Sequence, residues 1–211
     1  MKIRWFGHDT FLIETEGKRI YTDPYILPMR TELADIILVS HDHFDHCDPS
    51  RINEIRSQNT KVICPETCGE KIGGDLHVMK EWSTVEISGI GIQAVPAYNM
   101  TRSFHPRGKG LGYVIESEGK RIYFTGDTDI IPDMDKIKGI DVLIVPIGSQ
   151  AYMMSTEDAV QVCSLIKPKI CIPMHYNHLD ATMADPNEFR QKVESSSETK
   201  VEILEGRTLE I

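Results

Sequence analysis

Apolar and polar positions alternate through residues 12–21 and again through residues 114–123, and each stretch is interrupted at its centre by Glu-Gly-Lys. Alternation with period two around a glycine turn predicts two antiparallel hairpins, each with one face buried. The two stretches are copies of one another, since eight of their ten positions are identical at an offset of 102. Two more correspondences follow in the same order. Residues 35–39 answer residues 141–145 at an offset of 106, and residues 61–65 answer residues 169–173 at an offset of 108. These short apolar runs read as buried strands, and their repeated order as an internal duplication.

Helical signals fall between the strands. Asp48-Pro49-Ser50 predicts a helix running to about Ser57, Ser155-Thr156-Glu157-Asp158 caps one running to about Lys167, and Asp185-Pro186-Asn187 opens a third. Further strands are expected at residues 90–95 and, last in the chain, at residues 201–204. Two half-sheets with helices outside give an α/β fold, a four-layer αββα sandwich built from two duplicated halves. The expected organisation is a single domain over residues 1–211, divided into halves of about 1–95 and 96–211.

The densest chemistry follows the strand at residues 35–39. Ser40-His41-Asp42-His43-Phe44-Asp45-His46 packs three histidines and two aspartates into six positions. His41 and His43, two apart at a strand end, can point the same way, while Asp45 and His46 reach a second point nearby, so two metal ions a few ångströms apart suit the layout. Further ligands are expected at strand ends on the same edge. Gly126-Asp127-Thr128 follows the strand ending at Phe124 and offers a bridging carboxylate; Met174-His175-Tyr176 follows the strand at residues 169–173 and offers a histidine.

The His41-x-His43-x-Asp45-His46 motif, Gly126-Asp127-Thr128 and Pro173-Met174-His175-Tyr176 together resemble the metallo-β-lactamase-fold hydrolase superfamily over essentially the whole chain. Phe6-Gly7-His8-Asp9-Thr10-Phe11 and Thr22-Asp23-Pro24 are similar to the small branch around ascorbate-phosphate lactonases and N-acyl phosphatidylethanolamine phospholipase-D-type enzymes. The resemblance implies that His41 and His43 hold a first metal, that Asp45, His46 and His175 hold a second, and that Asp127 bridges them. A third histidine for the first metal is expected from the segment before the second hairpin. His105 is the histidine available there, and an alignment by the preceding strand would offer Asn99 instead. Two divalent ions, zinc or alternatively manganese or iron, are the expected cofactors.

A metal-bound hydroxide is then the expected nucleophile, since each cation lowers the pKa of bound water toward ~7. Asp45 would orient it, and His178 and His8 are the candidates for a leaving-group acid or a substrate contact; His8 can equally orient a neighbouring ligand. The leading reading is a hydrolase acting on a small anionic phosphodiester or another ester. A lactonase or amide hydrolase is the alternative, and a catalytically silent metal-binding module the non-enzymatic one.

Charge refines the substrate. The 211 residues carry 32 acidic against 23 basic side chains, a formal charge of −9, which argues against nucleic acid as a partner. Two divalent cations less Asp45, Asp127 and a hydroxide leave a local surplus of about one positive charge. Arg102, Arg107 and Lys109 lie beside His105, so this loop either receives a phosphate-bearing small molecule or is simply solvated. Five cysteines form no disulfide framework, and no apolar run reaches the roughly 20 residues that span a bilayer. A cytoplasmic protein is expected, with its oligomeric state open; Cys64-x-x-x-Cys68 is read as buried thiols rather than a redox or metal pair.

Overall fold

The computed structural model describes residues 1–148 and 151–211. The chain begins with strands β1 (Lys2–Gly7), β2 (Thr10–Thr15), β3 (Lys18–Thr22) and β4 (Ile36–Leu38), then helix α1 (Pro49–Ile55), β5 (Lys61–Cys64), helix α2 (Glu66–Ile72) and β6 (Leu76–Val78). It continues through β7 (Thr84–Ile87), β8 (Ile90–Ala97), β9 (Gly110–Ser117), β10 (Lys120–Phe124), a 3-10 turn (Pro132–Lys136) and β11 (Val142–Pro146). Helix α3 (Thr156–Ile166), β12 (Ile170–Met174), a second 3-10 turn (Asp180–Thr182), α4 (Pro186–Ser196), β13 (Lys200–Val201) and β14 (Thr208–Glu210) complete it.

The strands form two mixed seven-stranded sheets, ordered β14-β1-β2-β3-β4-β5-β6 and β13-β12-β11-β10-β9-β8-β7. Period-two alternation explains the four layers. In the first sheet Phe11, Ile13, Ile20, Ile36, Leu38 and Ile63 face the second sheet and join the main core. Their neighbours Leu12, Tyr21, Ile37, Val39, Val62 and Cys64 face the other way, onto Ile52 and Ile55 of α1 and Cys68 and Ile72 of α2. Helices α3 and α4 cover the second sheet through Ala159, Val162, Cys163, Ile166, Phe189 and Val193. The αββα sandwich expected from the sequence is therefore the observed fold.

The helix starts also behave as their caps dictate. Asp48 accepts from the Ser50 and Arg51 amides ahead of Pro49, Ser155 and Asp158 form a reciprocal capping box, and Asp185 accepts from the Asn187 amide. Each cap satisfies amides that have no partner inside the helix.

The duplication is visible in three dimensions. Leu12 pairs with Tyr21 across β2 and β3 as Val114 pairs with Tyr123 across β9 and β10. Asp35 accepts from the Arg19 amide at 2.9 Å, and its counterpart Asp141 accepts from the Arg121 amide at 2.9 Å. Two boundaries differ from expectation. The chain changes sheets between Val78 and Thr84 rather than near residue 95, so β8 pairs with β9 and belongs with the second half. The expected final strand at 201–204 is shorter, and the chain then returns to pair β14 antiparallel with β1. Leu209 and Ile211 alternate with Thr208 and Glu210 and pack against the main core, but so short a run marks no strand by itself, and its place is fixed by the free edge that β1 offers. No helix among the described residues is long and apolar enough to cross a membrane, and all five cysteines are buried free thiols.

Candidate metal centre

Strands β3, β4, β10, β11 and β12 all run parallel to a neighbour, and the crevice beyond the carboxyl ends of such strands is the usual place for a site. Here the loop after β4 delivers His41, His43, Asp45 and His46, the loop after β10 delivers Asp127, and the turn after β12 delivers His175. The sheets are tied together at this end: the Leu111 amide donates to the Ser40 carbonyl, the Tyr113 hydroxyl to the Val39 carbonyl, and the His175 amide to the His8 carbonyl.

Asp127 is the hub. Its Oδ2 lies 3.4 Å from Nε2 of His46, of His105 and of His175, and 4.0 Å from Nε2 of His41. The approach depends on Gly126, at φ +60°, where a Cβ would sit 3.0 Å from both the Leu111 carbonyl oxygen and the Ser40 Cβ. Two groups of potential ligands flank the hub. His41, His43 and His105 form one; His8, Asp45, His46 and His175 form the other, with ligand atoms within 4.8 Å of one another in each group.

The histidine tautomers follow from their outer partners. His46 Nδ1 donates to Asp23 at 2.8 Å. His41 Nδ1 lies 2.9 Å from the Ser40 hydroxyl, which in turn donates to Asp23. His105 Nδ1 donates to the Tyr152 carbonyl at 3.1 Å. All three therefore turn Nε2 toward the centre, where that of His41 lies 2.9 Å from His43 Nδ1; an imidazole fixed in this way can offer Nε2 to a metal. Among the described residues, Nε2 of His46, His105 and His175 and Oδ1 of Asp127 are buried without a hydrogen-bond partner. Buried polar atoms are rarely left so, and a converging set of nitrogen lone pairs and carboxylate oxygens is the donor set of a divalent transition-metal ion.

Without a cation the group balances its own charges: burial lowers His46 and His175, but Asp127 outweighs it and holds His46 well above the ordinary imidazole value and His175 up at about 9. Burial pushes the Asp127 carboxyl up, but His175 and His46 outweigh it and hold the group well below the ordinary carboxylate range. Burial likewise opposes ionisation of Asp45, yet the hydrogen bond from His8 brings it down to about 2. Burial lowers His8 itself to about 4, so its imidazole is neutral and Nε2 donates to Asp45 at 3.1 Å. His8 and His175 both adopt left-handed backbone, at φ 52° and 61°, with ring centroids 3.9 Å apart. Such strain in non-glycine residues collects at functional sites.

The structure thus brings together His41, His43, Asp45, His46, His105, Asp127, His175 and His8. His105, not Asn99, is the side chain that reaches the centre. Asn99 supports it from behind: its amide nitrogen donates to Asp129 and to the Tyr152 carbonyl at 3.0 Å each, and its oxygen accepts from the His105 amide at 2.9 Å. His178 does not enter the cleft. The left-handed residues His175 and Asn177 turn the chain away, and the exposed His178 ring packs over Gly7, in a separate pocket with Trp5 and Glu205. Arg102 and Arg107 do not form a basic patch either. Arg102 is paired with Asp129, and Arg107 with Asp133 at 3.2 Å and with the Tyr98 hydroxyl at 2.9 Å. Lys109 is exposed and borders a pocket of about 20 Å³ behind His41 and His43.

Residue-by-residue reading of the sequence missed Asp23 and Asp9. Both are fully buried, Asp9 with its carboxylate 3.6 Å from His46 Nδ1. The signal was their position, one in the turn after β1 and one directly after β3, at the same sheet edge as the histidine motif.

A family model for the β-lactamase superfamily domain matches residues 2–175. A UPF0173 metal-dependent hydrolase of Archaeoglobus fulgidus is 34% identical over 223 residues, covering 92% of this chain and 91% of the relative. Among solved structures, a metal-dependent hydrolase of Parabacteroides distasonis superposes with a TM-score of 0.86 at 32% identity, covering 95% of this chain and 91% of the other. The metallo hydrolase Igni18 of Ignicoccus hospitalis superposes with a TM-score of 0.83 at 29% identity, covering 100% and 98%. With the fold, the histidine-aspartate cluster and these relatives in agreement, the chain belongs to the β-lactamase superfamily and, within it, to the UPF0173 metal-dependent hydrolases.

Proposed function

We propose that this metal-dependent hydrolase cleaves carboxylic esters, lactones included, of a small-molecule substrate at a two-metal centre. His41, His43 and His105 would hold one ion, Asp45, His46 and His175 the other, and Asp127 would lie between them. The observation that carries this reading is the set of unpartnered, buried Nε2 atoms of His46, His105 and His175, each 3.4 Å from Asp127 Oδ2. Bound there, divalent ions supply Lewis acidity and make water nucleophilic near neutral pH.

The protein's own groups do the rest. Asp45 borders the cleft and is ionised, so one carboxylate oxygen can accept the proton of the attacking water while the other is held by His8 Nε2. Returning that proton to the departing alkoxide completes the exchange. His8 is in this reading a positioning residue for Asp45, and His178, outside the cleft, has no part in the proton transfer. Phosphodiester hydrolysis loses the support that the loop arginines lent it, because Asp129 and Asp133 already neutralise Arg102 and Arg107.

Metal analysis combined with turnover tests the reading. Protein loaded with zinc, manganese or iron is expected to bind two equivalents and to hydrolyse simple esters, and Asp45→Asn to lose turnover and to weaken binding of the ion that Asp45 shares with His46 and His175. A fully loaded protein inert toward esters and lactones alike, yet active on an aryl phosphodiester, would overturn the assignment of bond type.

A further inference from the structure

Beside the ligand cluster lies a second, larger cavity of about 350 Å³ that shares His43, Asp45, Asp127 and His175 with the candidate centre. Among the described residues its remaining walls are largely apolar: Phe44, Phe104, Met153, Leu179 and Ala181, with Tyr152 and Thr182 carrying hydroxyls. No lysine or arginine lines it among the described residues. The rings at its lip are exposed, Phe44 at 67% and Phe104 at 46%. Large exposed apolar groups rimming a concavity mark a place where an apolar ligand is covered.

The walls are also braced. Phe104 packs at a tilt against Tyr152 and His43, with ring centroids 4.7 Å away in each case, and Phe44 meets Tyr25 edge-on at 6.0 Å. The Tyr152 carbonyl that fixes His105 belongs to the same residue whose ring lines the cavity. The lip is therefore mechanically joined to the ligand cluster.

We propose that this cavity is a specificity subsite for an uncharged alkyl or aryl arm adjoining the scissile ester, and that Phe44, Phe104 and Leu179 select it. The inference rests on the hydrolase reading above and adds a substrate class to it: neutral esters with one bulky apolar arm, in preference to those carrying a carboxylate or phosphate. In the reaction one water is consumed. Its oxygen bonds to the acyl carbon, the bond from that carbon to the alcohol oxygen breaks with its electron pair on the oxygen, and the alcohol takes a proton. A charged arm would be stripped of water against phenylalanine and leucine with no lysine or arginine among the described residues to face it, a cost that exceeds any gain from fit.

The decisive probe is a series of alkyl hydroxamates, from aceto- to octanohydroxamate, titrated calorimetrically into the metal-loaded protein. The metal-seeking head is constant and the arm grows. Affinity is expected to rise about fourfold per methylene until the cavity is full, and a chain of equal length ending in a carboxylate should bind at least tenfold more weakly. Phe44→Ala, at the exposed lip, and Leu179→Asp, on the cavity wall, should flatten the dependence on length while metal content stays as in the wild type. A length-independent affinity, or tighter binding of the carboxylate-tipped chain, overturns the proposal.

A parallel measurement separates this inference from the reading beneath it. Methyl esters of acetate, butanoate, hexanoate and benzoate, and acetates of the matching alcohols, are followed by proton release. Turnover that is equal across both series removes the subsite and leaves the hydrolase. Absence of turnover with the length-dependent hydroxamate binding intact removes the ester-hydrolase reading and leaves the subsite.

Discussion

Asp23 Oδ2 lies 2.8 Å from His46 Nδ1, and the same side chain accepts from both the amide and the hydroxyl of Ser40, which in turn meets His41 Nδ1 at 2.9 Å. One buried carboxylate thereby sets the tautomer of two histidines, one in each group of potential ligands. Asp23→Asn would present an amide N–H to His46 and disturb both orientations. Metal affinity is expected to fall about 10- to 100-fold, as measured by competition with a chromophoric chelator. An unchanged affinity would show that the histidines need no outer support.

His105 and Asn99 should separate cleanly. His105→Ala removes a ring that lies 3.4 Å from Asp127 and is expected to cost one equivalent of bound metal. Asn99→Ala deletes no group facing the centre but frees the loop, because three hydrogen bonds to Asp129, Tyr152 and His105 go with it. Stoichiometry should be kept there, with weakened affinity at one site. Loss of metal in Asn99→Ala alone, with His105→Ala fully loaded, would reverse the two roles.

Removing the metal should destabilise the fold. Without a cation, the buried Nε2 atoms and Asp127 Oδ1 have no partner among the described residues, and any ligand bound only by the folded state stabilises it by mass action. Chelation is expected to lower Tm and zinc to restore it, with 100-fold excess over Kd worth about 2.7 kcal/mol. Differential scanning calorimetry at several zinc concentrations checks this; a Tm indifferent to zinc contradicts the assigned centre.

At the opposite end of the sheets the two hairpin turns meet. Thr15 and Ser117 are equivalent positions of the duplication, and their hydroxyls lie 2.8 Å apart in a buried contact. Thr15→Val strands the Ser117 hydroxyl and should cost about 1–3 kcal/mol. The double variant Thr15→Val with Ser117→Ala should cost less than the sum of the two single changes. Denaturant unfolding of the four proteins measures the coupling, and strict additivity would mean that the contact contributes nothing.

Asp141 carries a pH dependence. Burial raises its carboxyl, but the Lys169 ammonium at 2.7 Å and the Arg121 amide at 2.9 Å outweigh this and hold it below its ordinary value. A depressed carboxyl contributes stability that is complete above its unfolded pKa and disappears as pH falls through the folded one. Asp141→Asn should therefore reduce stability at neutral pH and remove part of the decline on acidification. Parallel stability-pH curves for the two proteins would exclude that contribution.

The sequence by itself determined the layers and much of the site. Period-two alternation marked the hairpins, capping residues marked α1, α3 and α4, and the offsets of 102 to 108 revealed the duplication, because these signals are local or repeat locally. Ligand density between residues 41 and 46, with Asp127 and His175 at matching strand ends, was equally legible. What only the tertiary structure decided is what distant segments do to one another. His105 rather than Asn99 turns inward because the loop folds around Asn99. His178 turns outward because two left-handed residues precede it, and Asp129 and Asp133 consume the charges of Arg102 and Arg107. The pairing of β14 with β1 and the apolar walls of the cleft likewise join residues far apart in the chain. Spacing along a chain fixes which side chains share a strand end or a turn; which of them meet across two sheets depends on packing and backbone direction, which no single segment encodes.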